Sequence, residues 1–224
     1  MKIHTTLCAA VLSCCAFQAD ASVITLQTAY STATAQTTAA GYKSTVEAAL
    51  KTQAQTPKTG YGTKVLPAYD SVSNQALFGA NSDIAWKATI DFGVTAAQAG
   101  NWTFRTGVDF DYGGALFLDG IALTSSGNNM YWGGNYNTAS QYLQASLNLA
   151  AGNHTLTIYG LEHCCDGAEQ AQFKIGSSGL YTSFAGTDGL NLKSSAVPEP
   201  ATLASFGLGL ALVAGIRRRR QQRG

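Results

Sequence analysis

The chain has 224 residues, enough for one sizeable domain once its two unlike ends are set apart. Only 12% of its residues are charged, against about a quarter in ordinary domains. Lys2 and the five tail arginines lie in the ends, as do Asp20 and Glu199, so the segment between them keeps eight basic and eleven acidic residues. A slightly acidic middle without clustered Lys and Arg excludes nucleic acid as a partner, because neutralising phosphates needs such a cluster.

In chain order, residues 1–21 carry Lys2, an apolar run from Leu7 to Phe17, and Ala19-Asp20-Ala21. These are the charged, apolar and cleavage parts of a secretory signal peptide, with cleavage expected after Ala21. Val11-Leu12-Ser13-Cys14 loosely resembles a lipoprotein box, although Leu12 suits that box poorly. Residues 22–57 are rich in Ala, Thr and Gln. Lys43–Gln53 fits a helix with Val46, Ala49 and Leu50 on one face, and fits a loosely ordered leader equally well.

A domain over residues 58–195 follows, in which period-two patterning prevails. Ile84–Phe92, Trp102–Asp111, Ala115–Leu123, Tyr142–Leu149, His154–Leu161 and Ala171–Ile175 read as strands separated by Gly/Asn/Ser turns. Asp119-Gly120 is a hairpin-turn dipeptide. The turn Ala99-Gly100-Asn101 is echoed at Ala151-Gly152-Asn153, each launching an alternating strand. Short strands at this spacing with little helix predict an all-β fold, an antiparallel β-sandwich of jelly-roll type. Trp86 and Trp102 fall in strand patterns and are expected in its core.

The tail runs Val197-Pro198-Glu199-Pro200, then an unbroken apolar or small stretch from Ala201 to Ile216, then Arg217, Arg218, Arg219 and Arg220. A helix of that stretch spans about 24 Å, short of a hydrocarbon core of about 30 Å, and the arginines would hold its end in the cytoplasm. The order of Pro-Glu-Pro, short apolar helix and arginine cluster over residues 197–220 resembles the sorting signal of PEP-CTERM proteins. That resemblance implies processing by an exosortase after transient insertion in the inner membrane of a Gram-negative bacterium. The mature form is then expected at the outer surface or in the extracellular matrix.

Two internal segments carry a second resemblance. Asn101–Gly120, NWTFRTGVDFDYGGALFLDG, and Leu149–Phe173, LAAGNHTLTIYGLEHCCDGAEQAQF, are similar to parts of the carbohydrate-binding sandwich found in anthrax protective antigen and fungal flocculin adhesins. The Cys-Cys-Asp-Gly run also resembles a group of PEP-CTERM proteins marked by a Cys-Cys-x-Gly signature. In the adhesins paired aspartates hold a calcium ion that contacts sugar hydroxyls. The matching stretch here is Asp109-Phe110-Asp111-Tyr112-Gly113-Gly114, without an adjacent pair. The resemblance therefore implies calcium at Asp109, Asp111 and Asp166, and carbohydrate, such as an extracellular polysaccharide, as ligand. Calcium takes six to eight oxygens, so one loop alone does not suffice. Solvated turn residues are the plainer account of the same acids.

Of five cysteines, Cys8, Cys14 and Cys15 lie in the signal, leaving Cys164 and Cys165. In an oxidising compartment they are expected in a disulfide, with each other or between chains. His163-Cys164-Cys165-Asp166 also offers transition-metal donors, but a closed zinc site needs a second pair of ligands. Tyr131, Trp132 and Tyr136 sit in a Gly/Asn-rich loop, where they either stack on a ligand or plug the end of the sandwich. Asp111, Asp166, Tyr131 and Trp132 are thus the ligand-binding expectation. No G-x-S-x-G elbow and no phosphate loop is present, so no catalytic constellation is recognised. Carbohydrate binding, a ligand-free structural matrix role and a glycan-active enzyme stand in that order.

Overall fold

Alternation of apolar and polar residues can be satisfied only where one strand face meets a core, and two sheets facing each other supply that core. The computed structural model describes residues 21–192, which belong to one unit. The signal residues before Ala21 and the sorting tail, with its expected transmembrane helix, lie outside the described residues. Among the described residues no helix is long and apolar enough to cross a membrane.

In chain order the elements are β1 (Val23–Tyr30), α1 (Ala39–Gln55), β2 (Thr63–Leu66), α2 (Asn74–Phe78), β3 (Ser82–Val94), β4 (Gly100–Gly107), β5 (Gly114–Leu118), β6 (Ile121–Ser126), β7 (Tyr142–Leu149), β8 (Gly152–Cys164), β9 (Gln170–Ile175) and β10 (Thr182–Ser183). They form two antiparallel sheets, one in the order β2-β1-β3-β8-β5-β6 and one in the order β10-β9-β4-β7. The fold is an antiparallel β-sandwich, as its sequence predicts.

Its interior follows from parity. Along β3 the even residues Ile84, Trp86, Ala88, Ile90, Phe92 and Val94 are all buried against the opposite sheet. Trp102 and Phe104 of β4 and Phe173 of β9 answer from across the gap. The two core indoles have partners: Trp86 Nε1 donates to the Tyr69 hydroxyl at 2.9 Å and Trp102 Nε1 to the Gln98 carbonyl at 2.8 Å. Asp119 and Gly120 both adopt positive φ, 50° and 79°, which is the primed turn that joins β5 to β6.

Residues 22–57 hold β1 and α1, so the sandwich begins at Val23 and not at residue 58, where composition places its start. β1 lies between β2 and β3 and is covered on both faces, with Ile24 and Leu26 in the core and Ala29 under α1. Its alternation, Ile24-Thr25-Leu26-Gln27, is short and lies at the head of an Ala/Thr/Gln-rich stretch, where it does not stand out. α1 is capped by the Thr38 hydroxyl, which accepts from Gly41 N–H at 3.0 Å. Tyr42 and Val46, with Ala49 and Leu50 beside them, pack on Ala85, Phe117, Tyr159 and Leu161.

Phe110 fixes the geometry beyond the end of β4. Its ring lies against Gly160 of β8, where an added Cβ would stand 2.1 Å from Phe110 Cε2. Phe110 is 1% exposed and has nowhere to retreat. Gly160→Ala is therefore expected to cost about 1–3 kcal/mol by overpacking. For a domain of this size that corresponds to roughly 2–12 °C in Tm, readable by thermal denaturation.

Candidate functional site

The inward parity of two strands continues past their last hydrophobic residues into carboxylates. On β8 the inward series Leu156, Ile158, Gly160 ends at Glu162, which is 4% exposed. On the approach to β9, Glu169 precedes the inward residues Ala171 and Phe173 and is 1% exposed. β8 closes on Cys164, and the connection to β9 carries Cys165, Asp166 and Gly167. β4 ends at Gly107, short of the expected Asp111, and the chain then runs through Asp109 and Asp111 beside the same strand ends. The two loops and residues 129–131 enclose a cleft of about 480 Å³ lined by carboxylates, Asn129, Tyr131, both cysteines and Gly167.

Backbone donors tie the acids into one cluster. Asp111 N–H donates to Glu162 Oε2 at 2.6 Å, and Asp109 N–H donates to Glu169 Oε1 at 2.9 Å. Asn129 Nδ2 donates to Asp111 Oδ1. Asp166 faces the start of α2, where Gln75 N–H donates to its Oδ2 at 2.7 Å. The loop of Asp111 is further held from outside by the Tyr42 hydroxyl, which donates to the Tyr112 carbonyl at 2.5 Å. Gly167 permits a close approach in the cleft: a Cβ there would stand 1.9 Å from Asp109 Oδ2.

No lysine or arginine lines the cleft, and the ion pairs of the described residues lie elsewhere, at Lys87–Glu47, His154–Asp119 and His163–Asp83. Burial, then repulsion from Asp166 and Asp111, pushes the Asp109 carboxyl up to about 6. Burial lifts Glu162 to about 7, the Asp111 N–H holding it down and the neighbouring acids holding it up. Burial also raises Asp166, against the opposing N–H groups of Gln75 and Asn74. Glu169 is raised well above the usual carboxylate range, first by its complete burial, and its Oε2 has no hydrogen-bond partner. Such a concentration of acids without cations favours either protons or a bound cation.

Asp109, Asp111, Asp166, Tyr131, Cys164 and Cys165, expected from sequence, all line this one cleft. Trp132 does not: it is 8% exposed, packs over Gly107 and donates its Nε1 proton to the Asn135 carbonyl at 3.0 Å. Tyr136 sits beside it, with the Arg105 guanidinium 3.7 Å from its ring centroid, so both aromatics anchor the loop. Tyr131, 70% exposed, is left at the rim. Glu162, Glu169 and Asn129 are additions that sequence reading missed. For the two glutamates the available signal was inward parity extended by one step from a hydrophobic strand.

Cys164 and Cys165 are bonded to each other across a cis peptide bond. As a disulfide they offer no thiolate to a metal. His163 turns away, its Nδ1 2.8 Å from Asp83 Oδ1 and its ring stacked on Tyr112. Among the described residues no group of three His, Cys, Asp or Glu side chains stands ready-made to hold a metal ion. The donors that do converge are hard carboxylate oxygens, the set calcium or magnesium accepts. The unpartnered oxygen of Glu169 and the raised acids beside it are consistent with a cation there.

Comparison with solved structures finds several chains of similar fold. The PA14 sugar-binding domain from an RTX adhesin is similar with a TM-score of 0.48 and 14% identity, over 77% of this chain and 99% of that one. The PA14 domain of the MpAFP antifreeze protein gives 0.47 and 9%, over 83% and 94%. The epithelial adhesin 9 A domain from Candida glabrata, in complex with Galb1-4GlcNAc, gives 0.44 and 9%, over 80% and 93%. No curated protein matches the chain. The PEP-CTERM protein-sorting motif matches residues 196–220. The chain therefore carries a PEP-CTERM sorting signal, which implies exosortase processing and sorting to the cell envelope or extracellular space.

Proposed function

We propose that the protein is a non-enzymatic surface or matrix module whose acidic cleft binds carbohydrate with the help of calcium. The observation that carries this reading is the convergence, at one end of the sandwich, of carboxylates, an exposed disulfide and an exposed tyrosine around a single opening. A sugar ring has two unlike aspects that this lining complements. Its hydroxyls suit carboxylate oxygens and a cation they hold, and its C–H face suits the disulfide and the Tyr131 ring. Asp109, Asp111 and Asp166 would hold the ion with Glu162 beside them, and bound calcium would supply a positive centre for two sugar hydroxyls. Exosortase processing would deliver the module to the outer surface, where extracellular polysaccharide is its expected ligand.

A matrix role by disulfide cross-linking would need a free cysteine on each chain, whereas Cys164 and Cys165 engage each other. A glycan-active enzyme would draw on Asp109 and Glu162, whose raised carboxyls suit proton transfer near neutrality. A glycan microarray probed with calcium and then with chelator separates these readings. We expect retention of at least one glycan series in calcium only, weakened about tenfold or more by Asp166→Asn, the loss of one charged contact. Release of reducing sugar from a bound glycan would replace the binding reading with the enzymatic one. Equal retention with chelator would remove calcium from it.

A further inference from the structure

A second opening lies next to the acidic cleft, and one extended segment divides them. Along residues 128–131 the side chains alternate: Asn129 and Tyr131 line the acidic cleft, and Asn128 and Met130 line the other opening. The segment is pinned in that orientation by reciprocal backbone bonds between Phe110 and Met130, at 2.9 and 3.0 Å. Its two faces thus belong to two neighbouring spaces.

The second opening is a groove of about 420 Å³, within the range of small-molecule sites. It runs where the outermost strand of each sheet passes the other, between residues 124–126 of β6 and 142–144 of β7. An outermost strand turns backbone N–H and C=O groups outward without a ladder partner. The side chains present are of one chemical kind. Thr124, Ser125, Ser126, Ser140 and Tyr142 bring hydroxyls, Asn128 and Gln144 bring amides, and no lining residue is charged. No charged side chain stands there to attract an ion. A neutral polyhydroxylated chain finds donors and acceptors along its length, over a floor closed by the buried side chains of Met130 and Leu143.

We propose that this groove is a second saccharide subsite, so that the protein takes an extended polysaccharide chain lying across residues 128–131 from the acidic cleft into the groove. The proposal rests on the carbohydrate reading of the cleft and adds to it the class of ligand: an internal stretch of a neutral polymer in place of a single terminal sugar. Adjacency to the cleft across residues 128–131 is what selects this occupant over a strand from a second copy of the chain.

The test uses the purified protein in calcium, titrated calorimetrically with β-1,4-linked glucose, galactose and N-acetylglucosamine oligomers of increasing length. In the series that binds, affinity is expected to rise about tenfold or more from monomer to tetramer, the gain of one or two good hydrogen bonds. Ser140→Trp, on an exposed turn, fills the groove and is expected to abolish that rise while leaving the monomer's affinity and the calcium response unchanged. Gln144→Ala removes a donor without adding bulk and should weaken only the longer oligomers, about threefold or more. Monomer binding without length dependence overturns the groove and leaves the cleft standing. A length effect that survives Ser140→Trp overturns the groove as well. Binding of no oligomer overturns both. A change of oligomeric state on size exclusion when Ser140→Trp is introduced assigns the groove to a second copy of the chain and overturns the saccharide reading.

Discussion

Calcium at about one hundred times its dissociation constant is expected to raise the melting temperature by roughly 5–10 °C, and Asp111→Asn is expected to remove most of that rise. A ligand that binds only the native state stabilises it by about 2.7 kcal/mol at that excess, and a domain of this length gains about 2–4 °C per kcal/mol. Asp111 is chosen because it lines the cleft, is held by Asn129 and donates its own N–H to Glu162. The pH dependence distinguishes a site at these acids from adventitious binding. Asp109 and Glu162 have native-state pKa values raised to about 6 and about 7. Their contribution to stability is therefore complete below their unfolded values, near 4, and is lost as pH rises through 6 and 7. Without calcium, these groups make the protein more stable at pH 5 than at pH 8. Calcium competes with the same protons, so its stabilisation is largest at pH 8 and shrinks through 7 and 6. Differential scanning fluorimetry over pH 5–8, with calcium and with chelator, reads both slopes. A calcium response independent of pH, or unaltered in Asp111→Asn, would place the ion elsewhere.

Gly167→Ala is expected to weaken calcium by about tenfold or more while sparing the core, through the loss of one charged ligand. The added methyl would stand 1.9 Å from Asp109 Oδ2, 2.7 Å from its Cγ and 2.9 Å from its Cβ. Asp109 must swing out of the cleft or its loop must move. The sandwich keeps its interior, because Gly167 lies in the β8–β9 connection and no core side chain is among its near neighbours. Released from burial and from the neighbouring acids, the Asp109 carboxyl falls back toward the ordinary aspartate range. Its share of the pH dependence without calcium then disappears. Two readouts thus move together in this variant, a smaller calcium shift and a flatter pH profile with chelator. A wild-type calcium shift in Gly167→Ala would remove Asp109 from the ion's ligands.

Much of the architecture was legible because its signals are local. The alternation of β3, β7, β8 and β9 is written in consecutive residues, and Asp119-Gly120 announces its own turn. β1 was obscured because its alternation, Ile24 and Leu26 inward against half-buried Thr25 and Gln27, is only four residues long and opens an Ala/Thr/Gln-rich stretch. The division of Ala115–Leu123 into β5 and β6 follows from the same Asp-Gly dipeptide read as a chain reversal. The cleft residues were individually nameable, since aspartates in Gly-rich turns and adjacent cysteines stand out. Trp132 stood out equally and belongs to the packing, because Gly107 leaves room for the indole across the loop.

The sequence by itself determined the composition of the ends, the alternating strands, the two cysteines left to the domain and the aspartates of its Gly-rich turns. Only the tertiary structure decided which of these meet. Glu162 became a cleft residue because inward parity on β8 carries one step past Gly160, and Asp109 because Gly167, 58 positions later, has no side chain to hold it off. Strand order β3-β8-β5 in one sheet and β9-β4-β7 in the other sets which loops share an end. Such order depends on pairing between distant segments, whereas periodicity records only what each segment does with its own neighbours.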